Sequence, residues 1–99
     1  MITAKQRAYL RSLANGIEST TQIGKGGLGE NGIKLVDSAL EAHELIKLTV
    51  LETCAASAKE VMASLCSALG CEPVQVIGRK IVVYRQSGKP ENRKIKLPK

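Results

Sequence analysis

Apolar residues recur along this chain with two alternating periods, three-to-four and two, and the switches between them divide it into helices and strands. Thr3 reads as a helix N-cap. A helix over about 4–14 then places Tyr9, Leu10 and Leu13 on one side and stacks Arg7 and Arg11 on another, until Asn15-Gly16 stops it. Residues 19–23 have strand propensity but little apolar content, as an exposed edge strand has. A glycine-rich loop follows. Beyond it Ile33, Val36, Leu40 and the stem of His43 recur at helical spacing, predicting a second helix over about 30–43. Residues 44–51 form a half-apolar strand with Lys47 on its solvent side. Thr53 is placed to cap a third helix over about 54–69, whose core stripe is Ala58, Val61, Leu65 and Leu69. Gly70 suits a left-handed C-cap. A strand over 73–77 turns at Gly78-Arg79 into the continuous apolar run Ile81, Val82, Val83, Tyr84, which is typical of a strand buried among neighbours. From Gln86 onward Ser, Gly, Pro and charge predominate.

The order α-β-α-β-α-β-β predicts an α/β two-layer sandwich. Its four-stranded mixed sheet would have the first three strands parallel, the last antiparallel, and the helices on one face. Residues 1–85 make the domain, and residues 86–99 a flexible basic arm on which Ile95 and Leu97 could dock. Parallel strands share the edge at which their C-terminal ends lie. The loops beginning at Gly24, Glu52 and Gly78 should therefore cluster, gathering Lys25, Arg79 and Lys80, with Lys5 and Arg7 expected toward the same edge.

With 99 residues, 43% hydrophobic and 24% charged, the chain has the composition of one small globular domain, too short for a barrel enzyme or a full dinucleotide fold. Charge sharpens the picture. Residues 1–29 balance at +3, residues 30–78 carry three bases against seven acids for −4, and residues 79–99 carry eight bases against Glu91 for +7. Basic termini around an acidic middle suggest a face offered to a polyanion, nucleic acid first and an anionic membrane surface second; the alternative is a basic tail that only aids solubility. Two tyrosines are the only aromatic residues, so base stacking is not the main mode of recognition.

The loop Gly24-Lys25-Gly26-Gly27-Leu28-Gly29 admits three readings. As GxGxxG between strand and helix it matches a dinucleotide fingerprint, with Glu52 where a ribose-binding acid would stand, although the preceding strand is polar where that fold needs a buried one. As GxxG it is a turn whose backbone comes close enough to clamp sugar-phosphate, with Lys25 at its tip and helix N–H groups at its mouth. As an ordinary turn it uses glycine for positive φ alone. No GxxxxGK[ST] pattern is present, so nucleoside triphosphate hydrolysis has no support.

Four blocks add a resemblance: Lys5-Gln6-Arg7-Ala8-Tyr9-Leu10-Arg11-Ser12-Leu13-Ala14, Gln22-Ile23-Gly24-Lys25-Gly26-Gly27-Leu28, Ala39-Leu40-Glu41-Ala42-His43-Glu44-Leu45-Ile46-Lys47, and Val74-Gln75-Val76-Ile77-Gly78-Arg79-Lys80-Ile81-Val82-Val83-Tyr84-Arg85. In this order they resemble the CRM domain in its bacterial stand-alone form, the YhbY family. The resemblance implies an RNA-binding domain similar to the C-terminal domain of translation initiation factor three, with a KH-like GxxG loop, associated with precursors of the large ribosomal subunit. It carries RNA contact onto Gly24, Lys25, Gly26 and Gly27, and a basic surface onto Lys5, Arg7, Arg11, Arg79 and Lys80. Gly29 departs from the pattern, since the family often has Ser or Thr there to cap the second helix.

The remaining candidates read as structural. His43 sits where a helix dipole ends and has no second histidine or paired nucleophile, while Glu41 and Glu44 read as surface acids. Cys54, Cys66 and Cys71 form no CxxC pair and read as small buried hydrophobes. The expectation is a cytoplasmic, non-enzymatic monomer that binds ribosomal RNA, with no cofactor, metal or membrane partner. The alternatives kept beside it are a small nucleotide-binding protein using GxGxxG and a basic interaction module.

Overall fold

The computed structural model describes residues 2–19, 21–24, 29–93, 95 and 97–98. Its elements follow the predicted order: α1 (Ala4–Ala14), β1 (Thr21–Ile23), α2 (Glu30–His43), β2 (Leu45–Val50), α3 (Ala58–Leu69), β3 (Glu72–Ile77) and β4 (Lys80–Tyr84), followed by a single 3-10 turn at Pro90–Asn92.

Local chemistry sets most boundaries. Thr3 Oγ1 accepts from the Gln6 N–H at 3.1 Å while Gln6 Oε1 accepts from the Thr3 N–H at 2.9 Å, a reciprocal capping box that starts α1. Gly70, at φ 67°, closes α3 in the left-handed region. The start of α3 differs from expectation. Ser57, not Thr53, is the cap; its Oγ accepts from the Glu60 N–H at 3.2 Å, so residues 54–57 stay outside the helix. Ser-x-x-Glu places an acid in the positive first turn, which Thr53 followed by Ala56 would not.

The sheet is four-stranded and mixed, in the order β1-β2-β4-β3. β1 runs parallel to β2, and β4 runs antiparallel to both β2 and β3. The first three strands therefore point the same way, but the expected parallel pairing of the second and third is not made, because β4 lies between them. Burial explains this insertion. Ile81 and Val83 face one side and Val82 and Tyr84 the other, all buried, so β4 needs neighbours and cover on both faces. β3, with Glu72, Gln75 and an exposed Ile77, tolerates the edge.

A second correction follows from the same demand. Helices cover both faces, not one. Val36, Leu40, Val61 and Leu65 of α2 and α3 pack with Ile46, Leu48, Val50, Ile81 and Val83, whereas Leu10 and Ala14 of α1 pack on the opposite face with Leu45, Val74, Val82 and Tyr84. No crossover ties α1 to the α2 side, and the apolar second face of β2 and β4 draws it across. A bulge between Pro73 and Gln75 turns both Val74 and Gln75 toward α1.

The basic arm expected over residues 86–99 lies against the domain over its described part, because two carboxylates, one in the last turn of α2 and one at its C-cap, hold its backbone. Glu44, read from the sequence as a surface acid, is 0% exposed and sits at φ 66°. Its Oε2 accepts from the Ser87 N–H at 3.0 Å and its Oε1 from the Ile95 N–H at 3.3 Å. Glu41 Oε2 accepts from the Gly88 N–H at 2.8 Å, and Ser87 Oγ lies 2.7 Å from the Glu41 carbonyl oxygen. Arg85 completes the clasp, its guanidinium 2.7 Å from Asp37 Oδ1, 3.2 Å from Glu41 Oε1 and donating to the Leu69 carbonyl. Ile95 and Leu97 then pack on the α1 cluster, and Gln6 Nε2 donates to the Pro98 carbonyl.

Two outcomes are expected. Glu44→Ala leaves the buried Ser87 N–H without its acceptor, a loss of about 1–3 kcal/mol, which lowers the thermal midpoint by on the order of 10 °C in a domain of this size. Glu44→Gly loses the same acceptor but relieves the positive φ, so circular-dichroism melting should rank it above Glu44→Ala. The Gly88 N–H and Ser87 hydroxyl, reinforced by Arg85, hold the Glu41 carboxyl below its ordinary 4.5. Its stabilisation is thus fully present above about pH 4.5 and lost as pH falls through the lowered folded value. Protection of the Gly88 amide against exchange should fall on that acid limb, and Glu41→Gln should remove that dependence.

Candidate nucleic-acid interface

Three chain segments meet at the C-terminal edge of β1 and β2. The Leu51 N–H donates to the Ile23 carbonyl at 2.8 Å, and the Val50 N–H donates to the Arg79 carbonyl at 2.7 Å. Gly24, directly after β1, lies so near the next loop that a methyl group on it would stand 3.5 Å from Leu51 Cδ1 and 3.7 Å from Thr53 Oγ1. The loops beginning at Gly24, Glu52 and Gly78 therefore adjoin, as expected, but for a different reason. β3 does not neighbour β2; the turn arrives beside it because Lys80, the first residue of β4, pairs with Thr49. Gly78 takes φ 57° to make that turn.

Lys25, Gly26 and Gly27 lie outside the described residues. What is fixed is their frame. Gly24 ends one side, and exposed Gly29 caps α2 on the other with extended backbone and no side-chain hydrogen bond, leaving the first N–H groups of α2 without a side-chain oxygen from that cap. Glu30, in the first turn of α2, is the nearest acid in sequence. Arg79 projects into solvent with its side chain 58% exposed, 3.8 Å from the freely exposed Glu52 carboxylate. Such a loose surface pair contributes about 0–1 kcal/mol and yields readily to a phosphate. Lys80 is exposed beside it.

The other expected cations are not gathered there. Arg7 Nε donates at 3.2 Å to the carbonyl of Pro73, which pairs with Val83 at the opposite end of the sheet. Lys5, one residue before the Gln6 that meets Pro98, belongs to that far end also. Arg11 is exposed in the last turn of α1. Lys5 and Arg7 went astray because α1 was assigned to the α2 side of the sheet, and on the other face its course across the strands is different.

Two groups read as bland on sequence have definite surroundings. His43 is exposed and lines an apolar cavity of about 390 Å³ with Leu13, Ile17, Leu45, Ile46 and Ile95, none of which could share proton transfer with an imidazole. Cys66 and Cys71 lie with their sulfurs 3.6 Å apart as free thiols, and burial, reinforced by Cys66, pushes the Cys71 thiol up to about 12, far from a reactive thiolate. Among the described residues no three His, Cys, Asp or Glu side chains form a group able to hold a metal ion, and no helix is long and apolar enough to cross a membrane.

The chain is 43% identical over 98 residues to the "Probable RNA-binding protein YqeI" of Bacillus subtilis, spanning 99% of this chain and all of that one. It is 31% identical to an "RNA-binding protein" of Haemophilus influenzae over 99% of this chain and 96% of that one. The solution structure of the hypothetical protein SAV1595 from Staphylococcus aureus superposes with a TM-score of 0.81 at 50% identity, covering 99% of this chain and 100% of that chain. Residues 2–85 match the model of the CRS1 / YhbY (CRM) domain, and the chain belongs to that family.

Proposed function

We propose that this protein binds RNA at the edge where Gly24, the Glu52 loop and the Gly78-Arg79 turn adjoin, and that it serves the assembly of the large ribosomal subunit by holding its precursor RNA. The observation that carries the reading is the convergence of these loops, with Arg79 and Lys80 on the turn that meets the end of β2 next to Gly24. The names of the relatives support RNA as the polyanion. In this reading Gly24, Lys25, Gly26 and Gly27 let the RNA backbone approach without Cβ atoms in the way, and Lys25, Arg79 and Lys80 neutralise phosphates. Lys5, Arg7 and Arg11 act at longer range, through the field of the molecule. The protein works in the cytoplasm as a monomer and without a cofactor.

The dinucleotide alternative is disfavoured by one feature of the sheet. A Rossmann fingerprint follows a central buried strand, whereas β1 is a three-residue edge strand. The basic-arm alternative loses ground because the arm's backbone is engaged by Glu41 and Glu44.

Binding of a labelled ribosomal RNA fragment, followed by fluorescence anisotropy across a salt series, tests the proposal. If about four phosphates in single-stranded segments are neutralised, the log–log salt slope should be near −3. Lys25→Glu and Arg79→Gln should each weaken binding several-fold while leaving the melting curve unchanged, and Arg7→Gln should do less than Arg79→Gln. An affinity indifferent to salt, or normal binding by Lys25→Glu together with Gly26→Val, would show the loop assignment to be wrong. Tagged protein sedimenting with large-subunit precursors, and not with mature particles, checks the assembly role.

A further inference from the structure

α1 covers only part of its face of the sheet. Its cluster takes in Leu45 at the start of β2, Val82 and Tyr84 toward the end of β4, and Val74 near the start of β3. Toward the other end of the strands, alternation and register place a row of side chains on this same face: Gln22 beside Thr49, Thr49 beside Lys80, and Lys80 beside Ile77. One step back along the strands, Lys47 and Gln75 flank Val82. Gln22, Lys80 and Ile77 are exposed, and Lys47, Thr49 and Gln75 half-buried. Three inter-strand spacings make the row about 14 Å wide.

The chemistry of this patch is unusual for a sheet face beside a core. It has two lysines, two amides and a hydroxyl, and the only acid on any of the four strands is Glu72, which pairs with Tyr84 at the far end. Ser19 Oγ, 2.6 Å from Thr49 Oγ1, orients that hydroxyl from the segment leading into β1. Ile77 is 60% exposed at the end of the row, a large aliphatic group with water on one side. The row also ends at the binding edge, since Lys80 follows Arg79 and Gln22 lies two residues before Gly24.

We propose that this open half of the sheet is a platform for a short single-stranded segment of RNA continuing from the glycine loop. This rests on the RNA reading above and extends it to a surface. Lys47 and Lys80 take phosphates, Gln22, Thr49 and Gln75 hydrogen-bond ribose hydroxyls or base edges, and Ile77 supports the face of an unstacked base. A single strand fits better than a duplex. Amides and hydroxyls standing on a flat sheet reach splayed bases, whereas duplex RNA shows proteins mainly its phosphates and 2′-hydroxyls across successive grooves, a span much wider than this row.

The test uses the full chain and a labelled twelve-nucleotide oligouridylate, with an RNA duplex of equal length beside it. Lys47→Gln should weaken single-strand binding several-fold and reduce the salt slope by about 0.7. Gln22→Glu, at an exposed position of the edge strand, should weaken it by at least as much while leaving the melting curve unchanged. Lys59→Gln, exposed on α3 across the sheet, should change nothing. If Arg79→Gln weakens binding but Lys47→Gln and Gln22→Glu do not, the platform is refuted while RNA binding at the loop edge stands. Tighter binding of the duplex, with the same dependence on Lys47, refutes the single-strand assignment. If the wild-type protein binds neither these probes nor ribosomal RNA, the RNA reading fails and the platform with it.

Discussion

Burial of β4 on both of its faces is the constraint from which the arrangement follows. Val82 and Tyr84 need cover on one side and Ile81 and Val83 on the other, and a strand with those demands is stable only inside a sheet with helices above and below. Its insertion between β2 and β3 brings the Gly78-Arg79 turn alongside the end of β2 and hence beside Gly24. It also recruits α1 to the second face, and one eleven-residue helix is too short to cover all of it. The loop edge and the open sheet face are thus two consequences of one hydrophobic requirement.

The acidic middle of the chain takes on a different meaning in the fold. Asp37 and Glu41 are turned onto Arg85, and Glu41 and Glu44 onto the backbone of the C-terminal segment. Asp37 and Glu41 thereby offset Arg85, and Glu44 is removed from the surface altogether, so much of the negative charge counted in residues 30–78 is directed inward or toward the tail. Arg85 is spent in the same pairs, so the cations left for a partner are those outside this clasp. Glu44 also explains its own strained backbone. A glycine would reach φ 66° without Cβ strain, but only a side chain with two acceptor oxygens serves both the Ser87 and the Ile95 N–H groups.

What was legible in the sequence follows the range of the interactions involved. Thr3 with Gln6, Gly70 after α3 and Gly78 in the turn act within a few residues, and the boundaries they set agree with the pattern. The start of α3 was misplaced because Thr53 and Ser57 are both competent caps, and the decision rests on Glu60. The family was legible from ordered blocks of residues. Strand order was not, because a tight turn pairs β3 with β4 without saying which of them lies next to β2. Glu44 was illegible for a similar reason: its partners are 43 and 51 residues away. Among the candidate site residues, Arg79 and Lys80 reach the expected edge through the β2–β4 pairing and not through the parallel pairing that the sequence suggests, whereas Lys5 and Arg7 inherit the error in the face assigned to α1.

The same reasoning bears on the proposed division of RNA contacts between loop and sheet. At the loop, glycine offers no side chains, so the proposed contact there would be made by backbone and charge, which carry little sequence information. On the uncovered sheet face the alternation of β2 and β4 fixes side chains at defined spacing, and in the proposed complex these would be the groups that distinguish one nucleotide from another. An apolar residue at position 47 or 49 would extend the α1 cluster and draw neighbouring chain over that face. Lys47 and Thr49 keep it wet, and the incomplete cover by α1 is therefore a property of the β2 sequence as much as of the helix length.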